Sequence, residues 1–208
     1  MSRLVNNLIR TGYLKSDPII DAFSEMHRLE FVPEELESEA EANIPLPIGY
    51  GQTISQPLTV AFMLELLDPQ AGQNILDVGS GSGWTTALLS YIVRAEGKVT
   101  ALEVIPELCE VGKYNVNKFG FVKKGIAEFH CIDGTDGFAA KAPYDRILVS
   151  AMADDVPIEL KNQLKVGGKM VIPVHNNIWY LERRAEDDFY KEEYPGFDFV
   201  PLVRVARS

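Results

Sequence analysis

No stretch of this sequence approaches the roughly 18 consecutive apolar residues that a membrane-spanning helix needs. The opening MSRLVNNLIR also lacks the apolar centre of a secretory signal. The chain is therefore expected to be soluble and cytoplasmic, with no membrane partner. Cysteine is scarce: Cys109 and Cys131 are the two present, with no short pairing between them, and they are expected to be buried thiols. With three histidines and no His/Cys cluster at ligand spacing, no metal site is expected. Positive charge is in deficit, 20 Lys and Arg against 30 Asp and Glu. A net charge of -10 and a pI near 4.8 argue against binding nucleic acid through its phosphates, which takes clustered Lys and Arg. The acidic runs EELESEAE and AEDDFYKEE read as solvated faces.

What is present fits one packed domain. The chain has 208 residues, of which 46% are hydrophobic and 24% charged, enough for one core plus an extension. Three zones follow along it. RLVNNLIRTGYL and SDPIIDAFSEM carry helical spacing, the second with Ser16 as a candidate N-cap ahead of Pro18. Residues 37 to 58 hold Pro45, Pro47, Gly49, Gly51 and Pro57, too much punctuation for a regular element, and read as a loop. From residue 60 onward apolar strand candidates alternate with helices: NILDVG, KVTALEV, AEFHCID, YDRILVSA and KMVIPV are strands, and IELKNQLKVGG is a helix closed by Gly167 and Gly168. The tail offers two more strands, IWYLERRA and FDFVPLVRVA. Strands joined through helices pair in parallel under right-handed crossovers, so the expectation is a doubly wound α/β sheet with its ligand at the carboxyl ends of the strands.

The first of these strands runs into LDVGSGSG, residues 76 to 83. Gly79, Gly81 and Gly83 let the backbone turn sharply and approach a ligand, and the helix behind them presents unpaired N–H groups. The dinucleotide fingerprint would need glycine at position 84, where Trp84 stands, which disfavours NAD. Asp77 would repel a pyrophosphate but suits a cationic or amine-bearing ligand. Glu103 stands 24 residues past Gly79, close to the spacing of about 20 at which an acid meets a ribose diol in this architecture. Asp133 and Gly134, ending the next strand, could read an adenine amino group and let the ring approach the backbone. Three such features at successive strand tips point jointly to one nucleoside-bearing cofactor.

LDVGSGSG, Glu103 and Asp133-Gly134 together resemble the S-adenosylmethionine (AdoMet) site of class I methyltransferases. FVPEEL, PLPIGYGQTISQP, PYDRILVSA, LKVGGKMVIPV and FVPLV are similar, in order and spacing, to segments of protein-L-isoaspartate O-methyltransferases, over about Leu4 to Val203. The resemblance implies a mostly parallel seven-stranded Rossmann-like sheet with an N-terminal helical extension. It also implies a single domain over 1–208, divided into helices and active-site loop (1–58), cofactor core (59–175) and C-terminal strands (176–208). The implied reaction moves a methyl group from AdoMet to the free carboxylate of isoaspartyl residues in damaged proteins and peptides, whose ester then closes to a succinimide.

Under this resemblance Ser55 orients the acceptor carboxylate. Gln52, Thr53 and Ile54 close over AdoMet, while Asp77, Gly79, Ser80, Gly81, Glu103, Asp133 and Gly134 hold it. Val200 and Leu202 in the tail lie near the acceptor; the competing reading of FDFVPLV is an ordinary edge strand. A monomer is expected. The chain departs from the family pattern at Leu58, where an aromatic or histidine is usual, at Thr59, where methionine is common, and at His175, where glycine is usual. Met152, Asp154 and Asp155 also depart, near where the acceptor should enter. These leave open a methyltransferase with a different acceptor, or a protein that binds AdoMet or a carboxylate without turnover.

Overall fold

A computed structural model describes residues 1–203 of the chain. Two helices open it, α1 (Arg3–Arg10) and α2 (Asp17–Glu25). Ser2 caps α1, accepting from the Val5 N–H at 3.3 Å. Ser16 precedes α2 but makes no side-chain cap; its hydroxyl instead donates at 2.7 Å to Glu65, in α3 (Pro57–Leu67), and so ties the extension to the body. Leu4, Leu8, Phe23 and Phe31 pack into the same buried cluster as the main helices.

Residues 37 to 58 are not simply a loop. They contain an antiparallel hairpin, β1 (Leu46–Gly49) and β2 (Gln52–Ile54), reversed by Gly49, Tyr50 and Gly51 with φ of +90°, +54° and +72°. Pro47 sits opposite Thr53. In a two-stranded ribbon each strand is an edge, the place in a sheet where proline is tolerated.

The main sheet is built from β3 (Asn74–Val78), β4 (Lys98–Glu103), β5 (Ala127–Cys131), β6 (Tyr144–Val149), β7 (Leu164–Val174), β8 (Asn177–Arg183) and β9 (Phe189–Pro195). Helices α4 (Trp84–Val93), α5 (Pro106–Asn117) and α6 (Ile158–Gln163) connect the parallel strands. The order is β5-β4-β3-β6-β7-β8-β9, parallel from β5 to β7 and antiparallel for β8 and β9, the doubly wound, mostly parallel seven-stranded arrangement expected. β3 shows how the core is divided. Ile75 enters the cluster shared with α3 and α4, while Leu76 and Val78 enter a second cluster with Leu160 and Met170, because successive side chains leave opposite faces of a strand.

Trp84 explains how the extension docks. Its side chain is buried, its Nε1 donates to the Met26 carbonyl at 3.0 Å, and its ring meets Phe23 edge-on at 5.3 Å. The position that excludes the dinucleotide fingerprint thus anchors the N-terminal helices.

Four further expectations are corrected. The helix does not extend to Gly167 and Gly168: α6 ends at Gln163 and β7 begins at Leu164, whose fully buried side chain serves the second cluster, with Gly167 passing through φ +81°. The final strand is β9, which begins within the run read as a solvated acidic face and continues two residues past it; Tyr190, Glu192 and Tyr194 alternate with Lys191 and Glu193, and Tyr194 packs edge-on against Phe62 at 5.2 Å. The expected strand FDFVPLVRVA contributes only an isolated bridge, Met152 to Pro201, and its positions 204–206 lie outside the described residues. Finally, Cys109 and Cys131 are not free thiols but a disulfide, with Cα atoms 5.7 Å apart. α5 packs on β5, which brings the buried Cys109 beside the exposed end of that strand; a separation of 22 residues in sequence conceals this.

Candidate active site

The chain leaves β3 for β4 on one side and returns to β6 on the other, so the carboxyl end of β3 is the switch point of the sheet. Gly79 follows it at φ +78°, and the N–H groups of Gly79 and Ser80 both donate to the Leu102 carbonyl, at 2.8 and 3.1 Å. The glycine turn is thereby drawn against the end of β4. There Glu103, 6% exposed, accepts from the Gly81 N–H at 2.8 Å through one oxygen and from the Ile105 N–H at 3.1 Å through the other. The carboxylate is fixed in place, and each oxygen retains a lone pair.

Gly79, Gly81, Glu103 and Gly134 line one cavity, walled on its apolar side by Val78, Leu102 and Ile105. At Gly134 a Cβ would lie 2.5 Å from Val78 Cγ1, so only glycine lets that backbone approach. Asp133 caps the following turn, accepting from the Thr135 N–H and hydroxyl at 2.9 and 2.7 Å; the cavity wall carries Gly134 rather than Asp133. Asp77 is wholly buried and is not part of the wall either. One of its oxygens accepts from the Thr85 and Thr86 hydroxyls at 2.9 and 2.6 Å, and the other has no partner among the described residues. Burial pushes its pKa up to about 6, opposed by the two threonine hydrogen bonds and reinforced by the Glu103 charge.

The hairpin lies over the glycine turn. Gln52, Thr53 and Ile48 enter the same cavity wall, and a Cβ on Gly81 would meet Ile48 Cδ1 at 3.2 Å. Ile54 and Ser55 adjoin Ser80 in a smaller crevice; the Ser80 hydroxyl is buried without a hydrogen-bond partner. From the other side the tail closes in, with the Met152 N–H donating to Val200 at 2.8 Å and the Leu202 N–H donating to Met152 at 2.7 Å. Leu202 faces the first cavity, and Val200 lines both that cavity and a second, open groove of about 640 Å³. Ser55, Thr59 and Ser150 line the groove on one side and Phe197 to Pro201 on the other. Asp154 and Asp155 are exposed and do not line it; the acid that does is Asp198. His175 is exposed at φ +50° in the β7–β8 turn, a left-handed position that glycine occupies more easily.

Three residues that the sequence did not single out hold this arrangement. Arg28, 4% exposed, donates to the carbonyls of Ala40, Ala42, Ile44, Ile54 and Ser55 at 2.9 to 3.3 Å. Burial pushes its guanidinium down to about 10. Asn43 accepts the Leu58 N–H at 2.9 Å and receives the Gln56 amide on its carbonyl. Ser150 follows β6 and touches both cavities. For Arg28 the available signal was one arginine within the largely apolar MHRLEFVP; Asn43 and Ser150 gave none. Among the described residues no group of three His, Cys, Asp or Glu side chains could hold a metal ion, and no helix is long and apolar enough to cross a membrane.

The family model described as protein-L-isoaspartate(D-aspartate) O-methyltransferase matches residues 1–207. A protein-L-isoaspartate O-methyltransferase of Methanopyrus kandleri is 45% identical over 208 residues, covering 97% of this chain and 90% of that protein. One of Aeropyrum pernix is 46% identical, covering 97% and 78%. A solved protein-L-isoaspartate O-methyltransferase structure superimposes with a TM-score of 0.88 at 28% identity, covering 97% of this chain and 65% of that one. A Plasmodium falciparum structure in complex with S-adenosyl-L-homocysteine shares the fold, with a TM-score of 0.86 at 22% identity and 96% coverage of each chain. The chain belongs to the protein-L-isoaspartate(D-aspartate) O-methyltransferase family.

Proposed function

We propose that the chain transfers the methyl group of AdoMet to the free carboxylate of L-isoaspartyl residues in damaged proteins and peptides. The observation that carries this is the pairing of two sites at one switch point: a glycine turn with a fixed carboxylate, and beside it a groove onto which Ser55, Thr59 and Ser150 open. The residues present fit AdoMet. Glu103 has lone pairs for a ribose diol, the bare backbone at Gly134 admits a flat base against Leu102 and Ile105, and the unpartnered Ser80 hydroxyl is left to donate. Gln52, Thr53 and Ile54 cover the cofactor, and Asp77 answers its positive charge from beneath.

Bound there, AdoMet supplies an electrophilic methyl carbon on a sulfonium. The acceptor carboxylate is already ionised at neutral pH, so this chain has no proton to remove before the new C–O bond forms. Its tasks are to aim the oxygen and exclude water. Ser55 donates to the carboxylate; the hairpin around Ile48 and the tail at Val200 to Leu202 shield the reacting pair. The succinimide that follows from the ester is where repair begins. We read the chain as one domain, acting as a cytoplasmic monomer on protein rather than nucleic acid; the Cys109–Cys131 bond is the feature that a reducing compartment would challenge.

The test is transfer of labelled methyl from AdoMet to a short isoaspartyl peptide beside its aspartyl twin. Label in the isoaspartyl peptide alone is expected. AdoMet binding without transfer to either would overturn the acceptor assignment.

A further inference from the structure

The acceptor groove contains more donor capacity than Ser55 alone provides. Thr59 opens onto it from the first turn of α3, and although the residue is only 7% exposed, its hydroxyl has no hydrogen-bond partner among the described residues. The hydroxyls of Thr85, Thr86 and Ser90, equally buried in the next helix, are all engaged. A threonine in a helix ordinarily returns its hydroxyl to a carbonyl one turn back. At Thr59 that carbonyl belongs to Ser55, which receives Arg28 instead. The backbone repeats the pattern. Pro57 has no N–H and Leu58 gives its N–H to Asn43, which leaves the Thr59 N–H as the first donor of the helix without a partner among the described residues.

The groove has no Lys, Arg or His side chain among its described lining residues, and Asp198 is its one charged group. What the described lining offers a carboxylate is neutral donors beside the positive end of α3. We propose that Thr59 is a second acceptor-binding residue, its hydroxyl and that of Ser55 donating together to the isoaspartyl carboxylate. Two donors fix the plane of the carboxylate, where one would let it swivel. Neutral donors also leave the attacking oxygen more electron-rich than a guanidinium would, and place no positive charge beside a sulfonium.

This inference rests on the isoaspartyl reading, and its test separates the two. Thr59→Val removes the hydroxyl while keeping the branched shape. Against an isoaspartyl peptide it is expected to raise KM about 10-fold, the loss of one hydrogen bond to a charged group, with S-adenosylhomocysteine affinity and Tm unchanged. Thr59→Ser is expected to recover the peptide KM to within about twofold, which a purely packing role would not allow. If Thr59→Val proves unstable, Thr59→Ala serves with the same readouts. Methylation by the wild-type chain with KM unmoved in Thr59→Val overturns the Thr59 assignment alone, as does an equal loss of S-adenosylhomocysteine affinity. Absence of transfer by the wild-type chain overturns both.

Discussion

The two halves of the site are built on opposite terms. On the cofactor side the framework is tied down, with Glu103 held through both oxygens and the turn bound to Leu102 through two N–H groups, and the polar atoms left over are the Ser80 hydroxyl and one Asp77 oxygen. On the acceptor side Ser55, Thr59 and Ser150 face a groove with their hydroxyls unspent on any described residue. A rigid half suits an invariant small molecule whose functional groups are always the same. An open set of hydroxyls suits peptides that share one carboxylate and differ in everything around it.

The largest effect expected is at the joint between the halves. Arg28→Ala strands five carbonyls, two of them in the hairpin-to-helix segment carrying Ser55. Two of those five hydrogen bonds are buried and three half-buried; at about 1 kcal/mol each, a loss of about 5 kcal/mol in denaturant unfolding is expected, together with loss of methylation. Retained stability would show that the segment needs no such anchor.

Asp77 sharpens the description of the cofactor half. Its folded pKa of about 6 lies above the ordinary 3.8, so the folded chain holds that proton more tightly than the unfolded one. Stability from this group is complete below about pH 4 and is lost as pH rises through about 6. Two pKa units correspond to about 3 kcal/mol. Unfolding midpoints of the wild type and Asp77→Asn, compared from pH 4 to 8, should differ in slope over that window. AdoMet at saturation should shrink the wild-type slope if Asp77 answers the cofactor's charge; parallel curves would remove the desolvated carboxylate from the account.

The disulfide acts at the far edge of the same half. Closing a loop of about 22 residues is worth about 3 kcal/mol in the chain-entropy view, and commonly less in practice. Reduction, or Cys109→Ser with Cys131→Ser, should lower Tm and weaken S-adenosylhomocysteine binding, because Cys131 pairs with Glu103 across the strands. The peptide KM should not move; if it does, the halves are mechanically coupled through α5.

What could be read from the sequence follows the same division. The cofactor half was legible because backbone carries it. A glycine turn, an acid at the next strand tip and Gly134 at the one after line one cavity in order along the chain, and strand periodicity sets where each tip falls. The acceptor half draws Ser55 with Thr59, Ser150 and Val200 from three distant segments, and only the resemblance to a family brought Ser55 and Val200 forward. Arg28 was illegible because its partners are carbonyls, which every residue has. The Cys109–Cys131 pairing depended on which helix covers β5, and β9 was masked by charges that an edge strand turns toward water. The hairpin at 46–54 was lost because prolines read as breakers, although a two-stranded ribbon tolerates them.

The most direct test of this division is steady-state methylation of one isoaspartyl peptide by Glu103→Ala and Ser55→Ala, with both substrates varied. Glu103→Ala is expected to raise the KM for AdoMet at least about 10-fold, consistent with losing hydrogen bonds to a carboxylate, and to leave the peptide KM within twofold or so. Ser55→Ala should lower kcat/KM for the peptide and leave AdoMet affinity intact. If each variant moves both constants together, the site is one coupled unit rather than two halves built on different terms.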